Sequence, residues 1–152
     1  MSSLKDRLRT DLTSAMKARD KDRAGTLRMV MASITEAEVA GKEAKELTDD
    51  EITTILTREA KKRREAATAF AEGGRTEQAE KETAEAAVIT EYLPAQLSAE
   101  EISDLVSKAV AQTGAAEDGM RAMGKVMGIL TPQTKGRADG GAVAAEVRKQ
   151  LG

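Results

Sequence analysis

Apolar residues recur three or four positions apart through most of the chain, the spacing that places side chains on one face of an α-helix. The first such set consists of Leu4, Leu8, Leu12 and Met16. Capping boxes, in which a Ser or Thr precedes a Glu by three positions, mark helix starts at Thr48 with Glu51 and at Ser98 with Glu101. These patterns predict an all-α fold.

The composition of the chain favours the same fold class. Only 1% of the 152 residues are aromatic, namely Phe70 and Tyr92, and runs of β-branched residues are absent. Strands normally use both kinds of residue, so the chain lacks the material for a sheet. We therefore expect a thin helical core of Leu, Ile, Val, Met and Ala.

The chain contains no Cys and no His. This excludes disulfides, thiol nucleophiles and metal sites built from thiolate or imidazole, and it removes the usual acid–base group at neutral pH. The remaining polar residues show no paired nucleophile and base, so we predict no catalytic residues, no metal and no cofactor. An enzyme that acts alone is the least favoured class of function.

Glycine and proline divide the chain into two parts. The glycine pair at residues 73–74 ends the third predicted helix, and Pro94 breaks the fourth because proline lacks an N–H and disfavours helix before it. We predict an amino-terminal bundle of about four helices over residues 1–94 and a three-helix domain over residues 95–152. Residues 92–98 are expected to form the hinge between them.

A charged pair lies on the apolar face of the third predicted helix. Glu59 and Arg63 are four positions apart, on the same side as Leu56 and Phe70. The ordinary interpretation is a structural ion pair at a helix interface, and the alternative is a functional polar cluster. The basic run at residues 61–64 has two interpretations as well, a solvated helix face or an RNA-binding patch.

Residues 119–138 contain no carboxylate, although acids and bases alternate closely elsewhere. The cations of this stretch are Arg121, Lys125, Lys135 and Arg137. The net charge of the whole chain is −2, which excludes a globally basic nucleic-acid binder, so any such binding must be local. A locally cationic segment suits a partner that carries phosphate.

The same stretch is rich in glycine. We expect a sixth helix over about residues 118–130, on which Arg121 and Lys125 lie within about 40° of each other and Gly124 and Gly128 lie close by. A glycine inside a helix costs about 1 kcal/mol relative to alanine, which either close helix packing or close approach of a ligand explains. The candidate RNA-binding residues are Arg121, Gly124, Lys125, Gly128, Lys135, Gly136 and Arg137.

One motif in this stretch is misleading. The residues from Gly119 to Lys125 fit the first seven positions of a nucleotide-binding P-loop, but Val126 stands where a Ser or Thr would hold magnesium. The glycines also fall within a predicted helix, whereas a P-loop needs them in a loop that follows a strand. We therefore exclude an NTPase.

Three runs of the carboxyl-terminal half resemble the GatB/YqeY family: residues 92–98 (YLPAQLS), 123–128 (MGKVMG) and 136–140 (GRADG). Two amino-terminal runs, residues 27–30 (LRMV) and 58–65 (REAKKRRE), are similar to the stand-alone YqeY-like branch. The likeness extends over nearly the whole chain. Its most specific part is the pair MGKVMG and GRADG at this spacing.

The resemblance implies a function connected with tRNA. In the family, the carboxyl-terminal half is similar to the tail of the B subunit of aspartyl/glutamyl-tRNA amidotransferase, a helical segment implicated in holding the tRNA. That enzyme is a carbon–nitrogen ligase with glutamine as amide donor, but its kinase-like and glutaminase parts have no counterpart here. The resemblance thus implies a tRNA-binding accessory module, with tRNA-handling or amidotransferase-like proteins as further partners.

The sequence leaves two possible functions. One is tRNA binding, and the other is a helical protein-interaction module in which the glycine-bearing helix packs on a partner helix. No run is apolar enough for a signal peptide or a membrane span. We therefore expect a cytoplasmic protein without a membrane partner.

Overall fold

The structure is a computed structural model that describes residues 3–152. Within that range it consists of α-helices, two short 3₁₀ helices and connecting turns, without a β-strand, so the all-α prediction is confirmed. The α-helices are α1 Ser3–Lys17, α2 Lys21–Val39, α3 Asp49–Glu72, α4 Thr76–Thr90, α5 Ala99–Thr113, α6 Met123–Thr134 and α7 Gly140–Leu151. Two compact units are present, the first ending at Leu93 and the second beginning at Pro94.

The first unit contains α1 to α4, which turn their aliphatic faces towards a common core. Its largest fully buried side chains are Leu8, Leu27, Ile34, Ile52, Leu56 and Ile89. The capping box predicted at Thr48 and Glu51 is present, with both of its hydrogen bonds, at the start of α3. It satisfies backbone N–H groups that have no partner within the helix.

Arg63 is buried among three helices of the first unit. Its guanidinium lies 2.7 Å from a carboxylate oxygen of Glu59 on α3 and 3.3 Å from one of Glu85 on α4, while Met29 Sδ of α2 lies 3.8 Å away. Burial alone would raise the pKa of Glu59, but the hydrogen bond from Arg63 and nearby positive charge outweigh it, so that pKa is lowered. The contacts favour the structural interpretation of this pair.

The remaining members of the basic run, Lys61, Lys62 and Arg64, are exposed on α3. Lys62 lies 3.6 Å from Glu59, which balances part of its charge. These positions agree with a solvated helix face, and they give no support to the alternative of an RNA-binding patch at this run.

Tyr92 ties the end of the first unit to α1. Its hydroxyl donates a 2.5 Å hydrogen bond to Asp11, and the guanidinium of Arg7 stacks 4.6 Å from the ring centroid. Burial and the bond to Asp11 raise the pKa of Tyr92. Arg23 of α2 pairs with Glu91 at 2.8 Å, so both residues are used in holding the chain after α4.

The turn between α1 and α2 contains Arg19 with a φ of 58°, the left-handed region that normally favours glycine. The N–H of Asp20 donates to the carbonyl of Ala15, and the N–H of Arg19 donates to that of Met16. This is the Schellman pattern, in which glycine is the usual residue at the position that Arg19 occupies. The side chain of Arg19 is therefore held there against the backbone preference.

The second unit is built from α5, α6 and α7 around its own aliphatic core. Its most deeply buried side chains are Val106, Val126, Leu130, Val143 and Val147. As predicted, a capping box of Ser98 with Glu101 starts α5. Asp139 is the N-cap of α7, and its carboxylate accepts a hydrogen bond from the N–H of Gly141.

The predicted start of the sixth helix, near residue 118, was wrong, and the helix ends beyond residue 130. A 3₁₀ helix covers Gly119–Ala122, with a φ of 59° at Gly119, and α6 begins only at Met123. At its other end α6 continues through Pro132 to Thr134. Pro132 has no N–H for the carbonyl of Gly128, but the hydroxyls of Thr131 and Thr134 donate to the carbonyls one turn before them, those of Met127 and Leu130.

None of the helices within residues 3–152 combines the length and the apolar character that a membrane crossing requires.

The ion-pair cluster of Arg63 can be tested by unfolding. Arg63→Ala leaves two partly buried carboxylates of Glu59 and Glu85 without their partner, so we expect the free energy of unfolding to fall by about 2–4 kcal/mol. The measurement is urea unfolding followed by circular dichroism. Arg64→Ala, at the exposed neighbour, is the control and should change stability by less than about 0.5 kcal/mol. Equal effects of the two changes would contradict the assigned role.

The turn of Arg19 allows a substitution that stabilises the protein. Arg19→Gly removes the cost of a left-handed backbone at a residue with a Cβ, so we expect a gain of about 1 kcal/mol in the free energy of unfolding. Arg19→Ala keeps the Cβ and should give no comparable gain. Thermal and urea unfolding of both variants measure the difference, and a loss of stability in Arg19→Gly would refute the assignment.

Candidate functional site

One face of α6 is bare of large apolar side chains. Gly124, Lys125 and Gly128 are exposed, whereas Val126 and Leu130 on the other face are fully buried. Met123 and Met127 are half-buried against the same core. The apolar face therefore points into the second unit and the glycines point outward, as the helical pattern predicted for this part of the stretch.

The two exposed glycines of α6 are not required by packing within the chain. A Cβ atom added at Gly124 or at Gly128 would meet nothing within 4 Å, and neither residue has a positive φ. Alanine would therefore fit at both positions and would favour the helix more. Close packing of α6 on another helix of the described chain, one of the two interpretations of these glycines, is excluded.

The cations at the amino-terminal end of this face have no acidic partner. Arg121 lies on the 3₁₀ helix and Lys125 on the first turn of α6, and both are exposed. Among residues 3–152, no carboxylate lies within 4.0 Å of either side chain. Since an α-helical spacing was assumed for Arg121, its predicted angle to Lys125 does not apply. Both charges are nevertheless free for an external partner.

The three candidate residues in the turn after α6 differ in their exposure and contacts. Lys135 is exposed at the end of the helix, but Gly136 is buried, with a φ of 73° that explains its need for glycine. A ligand thus has no open backbone to approach at Gly136, in contrast to the sequence-based expectation. Arg137 is half-buried, and its Nε donates to the carbonyl of Ala95 at 3.2 Å.

Residues 95–97 hold this turn in place, a role that sequence reasoning missed. The N–H of Leu97 donates to the carbonyl of Arg137 at 2.8 Å, and the side-chain amide of Gln96 donates to the carbonyl of Gly136 at 2.8 Å. The same segment was expected to be a hinge. Its partners lie about forty positions away in the sequence, so no local pattern reports the contacts.

The four cations do not form a single cluster. Lys125 and Lys135 are ten positions apart, which is about 15 Å along the helix axis at 1.5 Å per residue. Arg121 precedes the first of them and Arg137 follows the second. The arrangement is therefore a pair of cations near each end of α6, with the bare glycine face between them.

The electrostatics also differ between the two ends. The pKa of Glu101 is lowered, first by the hydrogen bonds with the N–H and hydroxyl of Ser98 in the capping box and then by the charge of Arg137. Arg137 thus has an acid in its surroundings, although no ion pair within 4.0 Å forms in the described part of the chain. Arg121 and Lys125 are the less compensated pair.

Comparison with known proteins identifies the family. The family model described as "Yqey-like protein" matches residues 5–151. The chain is 30% identical over 151 residues to "Altered inheritance of mitochondria protein 41, mitochondrial" of Pyrenophora tritici-repentis, across 96% of this chain and 80% of that protein. It is 34% identical over 92 residues to an uncharacterized protein of Schizosaccharomyces pombe, across 60% of this chain and 72% of that one. The chain belongs to the YqeY-like family.

The open glycine face leads to a stability prediction. Gly124→Ala and Gly128→Ala should each raise the free energy of unfolding by about 1 kcal/mol, because alanine favours the helix and the space is empty. Urea unfolding of the single and double variants gives the values. Gly136→Ala is the control and should destabilise by about 1 kcal/mol or more, because its φ is positive. A loss of stability at Gly124 or Gly128 would mean that the face is not open.

Proposed function

We propose that the protein binds RNA, and tRNA in particular, through the outer face of α6 and the turn that follows it. The observation that carries the proposal is the juxtaposition of two helix glycines with open space above them and two cations, Arg121 and Lys125, without acidic partners. Removing side chains lets a phosphate backbone approach the helix, and the cations neutralise it.

The spacing of the charges favours a polymer of phosphates over a compact anion. A small anion could reach the cations at one end of α6 but not those about 15 Å further along. An RNA backbone presents charge along its whole length, so it can contact Arg121 and Lys125 near one end and Lys135 near the other. Arg137 would contribute through the guanidinium atoms that Ala95 does not engage.

The proposed contact reads backbone shape and not base sequence. Neither of the chain's two aromatic residues lies in the second unit, so bases have no ring on which to stack. Recognition of a structured RNA by its phosphates and shape needs no such ring. Family membership supports tRNA as the RNA, because the related tail of the tRNA amidotransferase is implicated in holding that molecule.

A second candidate function is supported by the methionines of the same region. Met120 is 49% exposed, and Met123 and Met127 are half-buried beside the glycine face. Flexible methionines next to a bare helix suit close packing on a partner helix. A protein of the tRNA-handling or amidotransferase-like kind is the partner that the family implies.

The cytoplasmic location stays a prediction, and the name of the Pyrenophora relative places only that relative in mitochondria.

Salt dependence tests the RNA proposal directly. Binding of total tRNA, measured by filter retention at several salt concentrations, should give a slope of log K against log salt near −3 if about four phosphates are neutralised. Changing Arg121 and Lys125 together to Ala should make the slope less steep by about 1.5, at roughly 0.7–0.9 per phosphate contact.

Matched variants make the outcome specific. Lys108→Ala with Arg148→Ala removes the same two charge types from exposed positions of the second unit outside the site, and it should leave the slope unchanged. Gly124→Ala with Gly128→Ala should weaken binding while it stabilises the protein. Absence of tRNA binding, or equal effects of the two charge variants on the slope, would defeat the proposal. In a pull-down with this protein as bait, recovery of partner proteins after nuclease treatment would favour the protein-interaction function.

A further inference from the structure

A groove of roughly 450 Å³ lies in the first unit, where the end of α1 meets the start of α2. Ala15 and Ala24 are buried there, and Met16 borders the opening with 51% of its surface exposed. Arg19, Lys21 and Arg28 also line it, and all three are exposed. The groove therefore combines apolar residues with a cationic rim.

The positive charge of the rim is not balanced within the described chain. None of Arg19, Lys21 and Arg28 has a carboxylate within 4.0 Å in residues 3–152. The single acid that lines the groove is Asp20, whose carboxylate accepts a hydrogen bond from the N–H of Arg23 and caps α2. Three cations therefore face one acid that is already engaged.

The face of α2 beside the groove is also open. Gly25 lies one turn after Lys21, and a Cβ added to it would meet nothing within 4 Å. Gly25 and the exposed Met16 thus adjoin the cations, and the first unit leaves the space above the glycine uncovered.

We infer that this groove binds a short acidic segment of a partner protein, with apolar side chains against Met16 and the buried alanines and carboxylates on Arg19, Lys21 and Arg28. The excess positive charge specifies an acidic occupant, and the exposed Met16 specifies an amphipathic one. A nucleic acid fits less well, because the apolar part of the groove offers nothing to phosphate.

The backbone at Arg19 agrees with this assignment. Glycine would be favoured at its left-handed φ of 58°, yet the chain carries a cation on the rim of the groove. Arg19→Gly therefore separates binding from folding. It should lower the affinity for the acidic segment about threefold, the effect of one rim charge, while the melting temperature of the protein rises.

The test is a selection from a random peptide display library with the full-length protein as bait. Enriched peptides should carry net negative charge together with apolar residues. Synthetic copies should bind the wild type in fluorescence anisotropy. In Lys21→Glu with Arg28→Glu, affinity should fall about tenfold or more because two attractive charges become repulsive.

The matched control is Lys42→Glu with Lys81→Glu, which makes the same charge change at exposed positions that do not line the groove. It should leave affinity within about twofold. Circular dichroism and melting temperatures confirm that both variants fold. As a second variant, Met16→Asp should reduce binding through the apolar part of the groove.

Three results would overturn the inference: no enrichment of acidic, amphipathic peptides over the starting library, equal loss of binding in the groove and control variants, or peptide binding that survives both groove variants. Total tRNA is run in parallel on the same proteins. Loss of tRNA affinity in the groove variant, without any peptide binding, would assign the groove to nucleic acid. Because the groove belongs to the first unit, these outcomes are independent of the test on α6.

Discussion

The guanidinium of Arg63 is the interaction on which the packing of the first unit depends. It satisfies carboxylates from α3 and α4 at once and contacts α2 through Met29, so one side chain fixes the positions of three helices. We expect this buried charge to specify the arrangement of the helices, because other arrangements would leave it unpaired. In a core with only two aromatic residues in the whole chain, that specificity matters.

Local sequence signals gave much of the helical architecture. The capping boxes at Thr48 and Ser98 act within a few residues, so sequence spacing alone was sufficient to find them. The outward face of α6 was also predictable, because a helical period assigns Val126 and Gly128 to opposite sides. These parts of the fold depend on short-range geometry.

Other parts could not be predicted because their causes are distant or conformational. The bonds of Gln96 and Leu97 to the turn at Gly136 and Arg137 join residues far apart in sequence. The positive φ at Gly119 and the 3₁₀ helix that begins there shifted the start of α6, and no periodicity reports a backbone angle. The candidate site therefore keeps its exposed cations. The predicted angle between Arg121 and Lys125 does not hold, because Arg121 lies on the 3₁₀ helix.

The composition of α6 makes its outer face dependent on the folding of the second unit. Two glycines and an internal proline make helix formation by this twelve-residue segment less favourable by roughly 5 kcal/mol than alanine at the same positions would. An isolated peptide of that kind is a random coil in water. The helix persists only because Val126 and Leu130 are buried against α5 and α7. The outer surface is thus a product of tertiary docking, and it should be among the first features to melt when the second unit loosens.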